Sequence, residues 1–207
     1  RNDEAVFMIS QLAKLFRISL SKGRTVISIR DELQHAQSYM NIQKVRYKNT
    51  FSVVFDVDDE VCDCCIVKLV LQPILENAIN YGVSGMDDCG EIKVTGRKKD
   101  DVIILSVIDN GIGMEQEDAE LILTDSSRVH KHGSGVGLVN VNNRIQILFG
   151  KDYGLKVQSE PDEGTCVSIV IPAITYTEET RQILEKGHMF SREEIQMKMQ
   201  VDENEKS

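Results

Sequence analysis

The chain has 207 residues, 41% of them apolar, which suits one globular domain of ordinary core size with helical extensions. A formal charge of -9 and an isoelectric point near 5 argue against nucleic acid or an anionic membrane surface as its main partner, although an anion can still be held locally. No apolar run approaches the ~20 residues of a transmembrane helix. Arg1-Asn2-Asp3-Glu4 does not begin a secretory signal, and the sequence lacks an initiator Met, so it is expected to be part of a longer protein with its membrane or sensory segment upstream. Five cysteines, an odd number, fit free thiols in a reducing cytoplasm better than a disulfide framework. Cys62, Cys64 and Cys65 crowd together without the paired spacing of a zinc site.

Residues 3–21 carry Val6, Ile9, Leu12, Ala13, Phe16 and Leu20 at helical spacing, and Gly23 punctuates the end. A second helix is expected from Ser28, with Asp31 and Glu32 in its first turn and Leu33, Ala36, Met40 and Tyr47 on one stripe. Such an αα-hairpin cannot bury both stripes alone, so a partner surface is expected, for instance the same hairpin of a second copy. From Thr50 the pattern alternates, with Phe51, Val53, Phe55 and Val57 on one side of a strand that ends in the acidic turn 58–60. Residues 66–81 predict a helix with Pro73 as an anomaly: either the helix kinks there or its regular part begins near it.

Strands at 91–97 and 102–108, joined by Lys98-Lys99-Asp100-Asp101, predict a hairpin. A short polar helix is expected at 115–123, then a mobile polar loop at 124–134. A helix over 135–148 carries Val136, Val139, Val141, Ile145 and Leu148, and two last strands at 154–160 and 165–171 flank the turn Pro161-Asp162-Glu163-Gly164. This order predicts an α+β fold, a two-layer sandwich of one mixed sheet with helices on one face. The domains expected are a helical hairpin at 1–48, a globular domain at 49–172 and a charged tail at 173–207. The tail is expected as an appendage, with weak helical patterns at 177–186 and 191–201 and disorder from Val201 to Ser207.

Three segments carry polar chemistry. Glu76-Asn77-Ala78-Ile79-Asn80-Tyr81-Gly82 pairs Glu76 with Asn80 and Asn77 with Tyr81 at four-residue spacing, which serves a ligand or simply a solvated helix face. An Asn amide oxygen suits a hard cation such as magnesium. Asp109-Asn110-Gly111-Ile112-Gly113-Met114 follows the apolar run Val102–Ile108, which delivers an acid at a strand end before two glycines that admit a flat ligand. A plain turn explains Asp-Asn-Gly equally well, but it does not require Gly113. Gly133-Ser134-Gly135-Val136-Gly137-Leu138 leads into a helix whose free amides and dipole suit phosphate. It lacks the Lys and Ser/Thr of a P-loop and follows no strand, which disfavours a dinucleotide fold.

In this order and spacing, Glu76-Asn77-Ala78, Asp109-Asn110-Gly111-Ile112-Gly113, Gly135-Val136-Gly137-Leu138 and Gly164-Thr165 resemble the N, G1 and G2 boxes and closing Gly-Thr of the ATP-binding domain of sensor histidine kinases. That domain has the Bergerat-type fold shared with gyrase, heat-shock chaperones and mismatch-repair ATPases. Leu71-Gln72-Pro73, the stretch Tyr39–Tyr47 and Leu138–Ile145 are similar to the LytS/YesM type of two-component kinase. The resemblance covers residues 6–172. It implies ATP and Mg2+ as ligands, Asp109 on the adenine amine, Asn77 on magnesium, and Gly111 and Gly113 shaping the adenine pocket with Thr165 supporting Asp109. It further implies Gly135, Val136, Gly137 and Leu138 at the phosphates, Asn80 and Tyr81 beside the nucleotide, and an ATP lid over 115–134.

Members of the family often carry Lys-His where this chain has Asn80-Tyr81. Arg128 and Lys131, with His130 and His132 between and beside them, offer lid charges for the transferred phosphoryl group instead. Glu76 is a candidate for polarising the incoming imidazole. The acceptor segment of the family, Asn-Pro-His-Phe-like, has no counterpart around His35, His130, His132 or His188, so the phosphoacceptor is expected upstream of Arg1. The expected function is the ATP-binding catalytic part of a histidine kinase that passes phosphate to a response regulator receiver domain. A homodimer through the hairpin, a cytoplasmic location, membrane anchoring only through upstream segments and no nucleic acid partner complete the expectation. The alternatives are an ATPase or serine kinase of the same superfamily, or a non-catalytic dimerisation module.

Overall fold

Strand β5 (Val102–Asp109) is the middle strand of a five-stranded sheet ordered β2-β4-β5-β7-β6 in a computed structural model that describes residues 2–20, 23–84, 89–123, 135–191 and 193–195. β2 (Phe51–Val57) pairs parallel with β4 (Gly90–Lys99), and β4, β5, β7 (Gly164–Pro172) and β6 (Gly154–Glu160) pair antiparallel. Alternation sends Ile92 and Val94, Ile103, Leu105 and Val107, and Val167, Ile169 and Ile171 into the core. The opposite face presents Lys93 and Arg97, which both pair with Asp56, and the hydrogen-bonded Ser106 and Ser168. The sheet is therefore mixed and covered by helices on one face, as its element order predicts.

Two helices open the chain. α1 (Asn2–Ser19) lies along α2 (Ile29–Arg46), held by Arg17 to Gln34, Asn41 to Gln11 and a 3.2 Å contact of Ser19 Oγ with His35 Nε2. Ser28 caps α2 by accepting from the Asp31 amide. His35 is fully buried in this seam. α1 keeps its other stripe uncovered: Val6, Ile9, Phe16 and Leu20 are each more than half exposed.

The sequence pattern misses a two-stranded sheet, β1 (Val26–Ser28) with β3 (Cys65–Val67), which ties the hairpin to the globular part. It also merges two elements. The helix expected over 66–81 is β3, then α4 (Leu71–Asn77), then a wider π turn from Ala78 to Val83. Pro73 sits in the first turn of α4, where its missing amide proton is one that no helix would use, so the regular part begins near it rather than kinking. The acidic turn after β2 is the start of a short helix, α3 (Asp59–Cys62). Cys62, Cys64 and Cys65 are buried thiols, and among the described residues no cluster of three or more His, Cys, Asp or Glu is placed to hold a metal.

α5 (Gln116–Leu121) and α6 (Gly135–Phe149) follow as expected, α6 packing Leu138, Val141 and Ile145 on the sheet. The tail differs from the expected appendage. Ala173 and Ile174 are buried, the Cys65 amide donates to the Ile174 carbonyl, and α7 (Glu178–Glu185) docks Leu184 into the core. Glu185 accepts from the Thr25 and Val26 amides, clasping the tail to the turn between α1 and α2. Residues 196–207, including the disorder expected from Val201, lie outside the described residues.

Candidate nucleotide site

The core-facing alternation of β5 runs Ile103, Leu105, Val107, Asp109, so the pattern that buries three apolar side chains also buries a carboxylate at the strand end. Asp109 is only 6% exposed. It accepts from the Gly111 amide at 3.0 Å and from the backbone of Thr165, its register partner on β7. Burial pushes its carboxyl up to about 6, against the opposing pull of these two backbone bonds. The carboxylate thus remains able to accept further hydrogen bonds at neutral pH.

The walls around it are backbone. A Cβ on Gly111 would stand 2.3 Å from Gly82 backbone atoms, so the loop after β5 and the end of the π turn touch main chain to main chain. Gly113 takes a left-handed φ of +59° against the Glu160 carbonyl. Asn110 pins the strand exit by accepting from the Glu91 amide at 2.7 Å.

One member of this wall belongs to none of the sequence motifs. Ser159 Oγ donates to the Gly164 carbonyl, accepts from the Met114 amide at 3.0 Å and lies 2.9 Å from Thr165 Oγ1. It joins the loop after Gly113 to the closing Gly-Thr. The one signal that could have found it is its place on the inward side of β6, in line with Leu155 and Val157.

α4 and the π turn form the neighbouring side. Glu76 accepts from Gln72 Nε2 at 2.8 Å and hydrogen bonds the Tyr39 hydroxyl, whose ionisation burial and Glu76 both suppress. Asn77 is half-buried at the last α-helical position, and the π turn begins directly after it. The regular four-residue face expected from Asn77 to Tyr81 is therefore interrupted, and Asn80 and Tyr81 are exposed. Asn80 accepts from the Tyr47 hydroxyl at 3.3 Å. A π turn in this position widens the backbone and is a frequent companion of binding sites.

α6 starts at Gly135, with Val136 exposed, Leu138 buried and Gly137 facing Pro73 of α4. The start of α6 and the start of the Asn77 helix are therefore packed together. Of the expected lid, α5 docks on β6, where Gln116 accepts from the Ser159 amide. Arg128, His130, Lys131 and His132 lie outside the described residues.

The mixed five-stranded sheet has helices on one face and holds a buried carboxylate among glycines at the end of its middle strand. Solved structures share the fold: the catalytic domain of histidine kinase ThkA (19% identical, TM-score 0.55, 73% of this chain and 96% of that one) and the histidine kinase domain of a blue-light activated kinase from Erythrobacter litoralis EL346 (16% identical, TM-score 0.55, 88% and 79%). Residues 66–175 match the model of the histidine kinase-, DNA gyrase B- and HSP90-like ATPases, and the chain belongs to that family. Residues 1–51 match a second family model, described as histidine kinase.

Curated relatives agree. The chain is similar to the sensor histidine kinase YesM of Bacillus subtilis (35% identical over 165 residues, 80% of this chain and 27% of the relative). It is also similar to the sensor protein LytS of Bacillus anthracis (33% over 173 residues, 82% and 29%) and to the sensor histidine kinase BtsS of Escherichia coli (29% over 171 residues, 83% and 28%). The chain spans less than a third of the length of these relatives. No helix among the described residues is long and apolar enough to cross a membrane.

Proposed function

We propose that the chain binds Mg-ATP and acts as the catalytic part of a sensor histidine kinase, passing the γ-phosphoryl group to a histidine outside residues 1–207 and thence to a response regulator receiver domain. The observation that carries this is Asp109: a buried carboxylate with acceptor capacity to spare, walled by backbone glycines, is built for a flat ligand that donates from an exocyclic amine. Gly111 and Gly113 shape the slot, and Thr165 with Ser159 holds Asp109 in place.

Asn77 offers an amide oxygen to magnesium. With no group of three or more His, Cys, Asp or Glu placed to hold a metal among the described residues, most ligands of the ion would be phosphate oxygens and water, the usual arrangement for this cation on a nucleotide. When bound, the ion neutralises phosphate charge. The amides of Gly135, Val136, Gly137 and Leu138 at the start of α6 receive the phosphates, and Asn80 and Tyr81 flank them. Arg128 and Lys131 add positive charge from the lid, and Glu76 polarises the incoming imidazole. Catalysis in this arrangement is positioning and charge neutralisation.

His35 is sealed between α1 and α2 and so is not offered to a nucleotide, while His188 lies on the tail beside Glu194 and Phe190. This supports an acceptor elsewhere in the longer protein. The uncovered stripe of α1 supports a homodimer through the hairpin. The test is incubation of an upstream-extended protein with labelled ATP. Acid-labile phosphate on that protein, absent from residues 1–207 alone, is expected; acid-stable phosphate would point to a serine kinase.

A further inference from the structure

Glu32 belongs to the hairpin helix α2, yet its carboxylate is fully buried at the start of α4. It accepts from three successive amides, Leu69 at 2.8 Å, Val70 at 2.8 Å and Leu71 at 2.9 Å. A residue outside every motif of the sequence thereby caps the helix that carries Glu76 and Asn77. The same short loop is gripped from the other side. Arg144, on α6, donates to the carbonyls of Lys68 at 2.6 Å and Leu69 at 3.3 Å. Leu69 itself takes a left-handed φ of +58°, a conformation that a leucine holds only when its surroundings fix it.

The grip continues along α2. Glu32, Tyr39 and Tyr47 lie about two helical turns apart on one face, and they meet Leu69 to Leu71, Glu76 and Asn80 in that order. The hairpin helix is thus fastened to the whole length of α4 by a polar stripe. α6 is fastened to the same element at its start, through Arg144 and through Gly137 against Pro73.

We propose that Glu32 and Arg144 are a pair of positioning residues that lock the loop 68–71 between hairpin and α6, and so set the spacing between the Asn77 helix and the start of α6 on which nucleotide affinity depends. The inference rests on the nucleotide reading for its functional consequence, but not for its structural one. Neither side chain touches the proposed ligand; both act through backbone. Because one of the two residues belongs to the hairpin, this loop gives a rotation of α2 a route to the site that does not pass through the sheet.

The test uses residues 1–207 with Glu32→Gln, Arg144→Lys and the double variant, measuring Mg-ATP affinity and amide hydrogen exchange together. Each single change is expected to weaken Mg-ATP binding about tenfold, as misplacement of a binding element does. The double variant is expected to be little weaker than the worse single one, since both break the same lock. Exchange is expected to quicken on both sides of the loop, in Leu71–Asn77 and in the first turns of α6, whichever residue is changed. Faster exchange confined to the mutated element, additive losses of affinity, or unchanged affinity despite faster exchange would each overturn the proposal. If the unmodified chain binds no Mg-ATP, the nucleotide reading fails, and the exchange pattern alone decides whether the lock exists. Should Glu32→Gln not fold, Arg144→Lys carries the test, because it leaves the three amide bonds to Glu32 in place.

Discussion

Gly82 lies so close to Asp109 that a methyl group on it would stand 2.5 Å from Oδ1 and 2.7 Å from Cγ. The carboxylate cannot swing aside, because the Gly111 amide and the Thr165 backbone hold it. Gly82→Ala is therefore expected to abolish Mg-ATP binding and to lower stability by about 1–3 kcal/mol through overpacking. Thermal melts with and without nucleotide check both. Gly137 provides the contrast. The nearest atom to a Cβ there is Pro73 Cβ at 3.6 Å, an ordinary contact within a helix. Gly137→Ala is expected to raise stability by about 0.5–1 kcal/mol, so any loss of nucleotide binding in it reports on the ligand and not on packing.

The pH dependence of stability gives a second check on Asp109. Its carboxyl is raised to about 6 in the folded chain, so between about pH 4 and 6 the folded state holds a proton that the unfolded state has released. The stability this contributes is complete below about pH 4 and is lost as pH rises through 6. Asp109→Asn removes the penalty of burying the charge. It is expected to match the parent near pH 4 and to exceed it by roughly 1–3 kcal/mol near pH 8, while losing Mg-ATP binding. A stability difference that does not vary with pH would show that the carboxylate carries no such penalty.

Much of this site is legible in the amino-acid sequence. The run Val102–Ile108 reads as a buried strand, and an acid at its end followed by Gly111 and Gly113 marks a close backbone approach. What stays hidden is everything decided by partners distant along the chain. Three-residue strands such as Val26–Ser28 and Cys65–Val67 are too short to show alternation, and Ile66 and Val67 fit the apolar stripe of the expected helix as well as they fit a strand. Glu32 reads as an ordinary acid in a first helical turn, since nothing local reveals that loop 69–71 folds onto it. The tail looks too charged to pack, yet Ala173, Ile174 and Leu184 suffice to dock it.

Ser159 offers a test of the part of the wall that lies outside the motifs. Its hydroxyl is buried and serves the Met114 amide, the Gly164 carbonyl and Thr165 Oγ1 together. Ser159→Ala leaves those groups without their shared partner. A loss of about 1–3 kcal/mol is expected from unsatisfied buried polar atoms, with weaker Mg-ATP binding because the loop after Gly113 loses its anchor. Ser159→Thr, which keeps the hydroxyl, should recover affinity further than stability. Equal affinity in Ser159→Ala and parent would confine this serine to a packing role.

The last expectation concerns α1. Ile9 is 67% and Phe16 54% exposed, on the side turned away from α2, while the opposite side buries Gln11 and Ile18. A helix with both stripes apolar and only one covered exposes surface that water disfavours, and pairing with the same face of a second copy removes it without new chemistry. The chain is expected to form a dimer in sedimentation equilibrium. Ile9→Asp combined with Phe16→Asp is expected to leave a monomer with the circular dichroism of the parent, since neither side chain contributes to the core. It should also keep Mg-ATP affinity, because the proposed nucleotide site draws on α4, α6 and the sheet of one copy. A double variant that remains dimeric would place the interface elsewhere, and one that loses Mg-ATP affinity along with the dimer would mean that the second copy helps to shape the site.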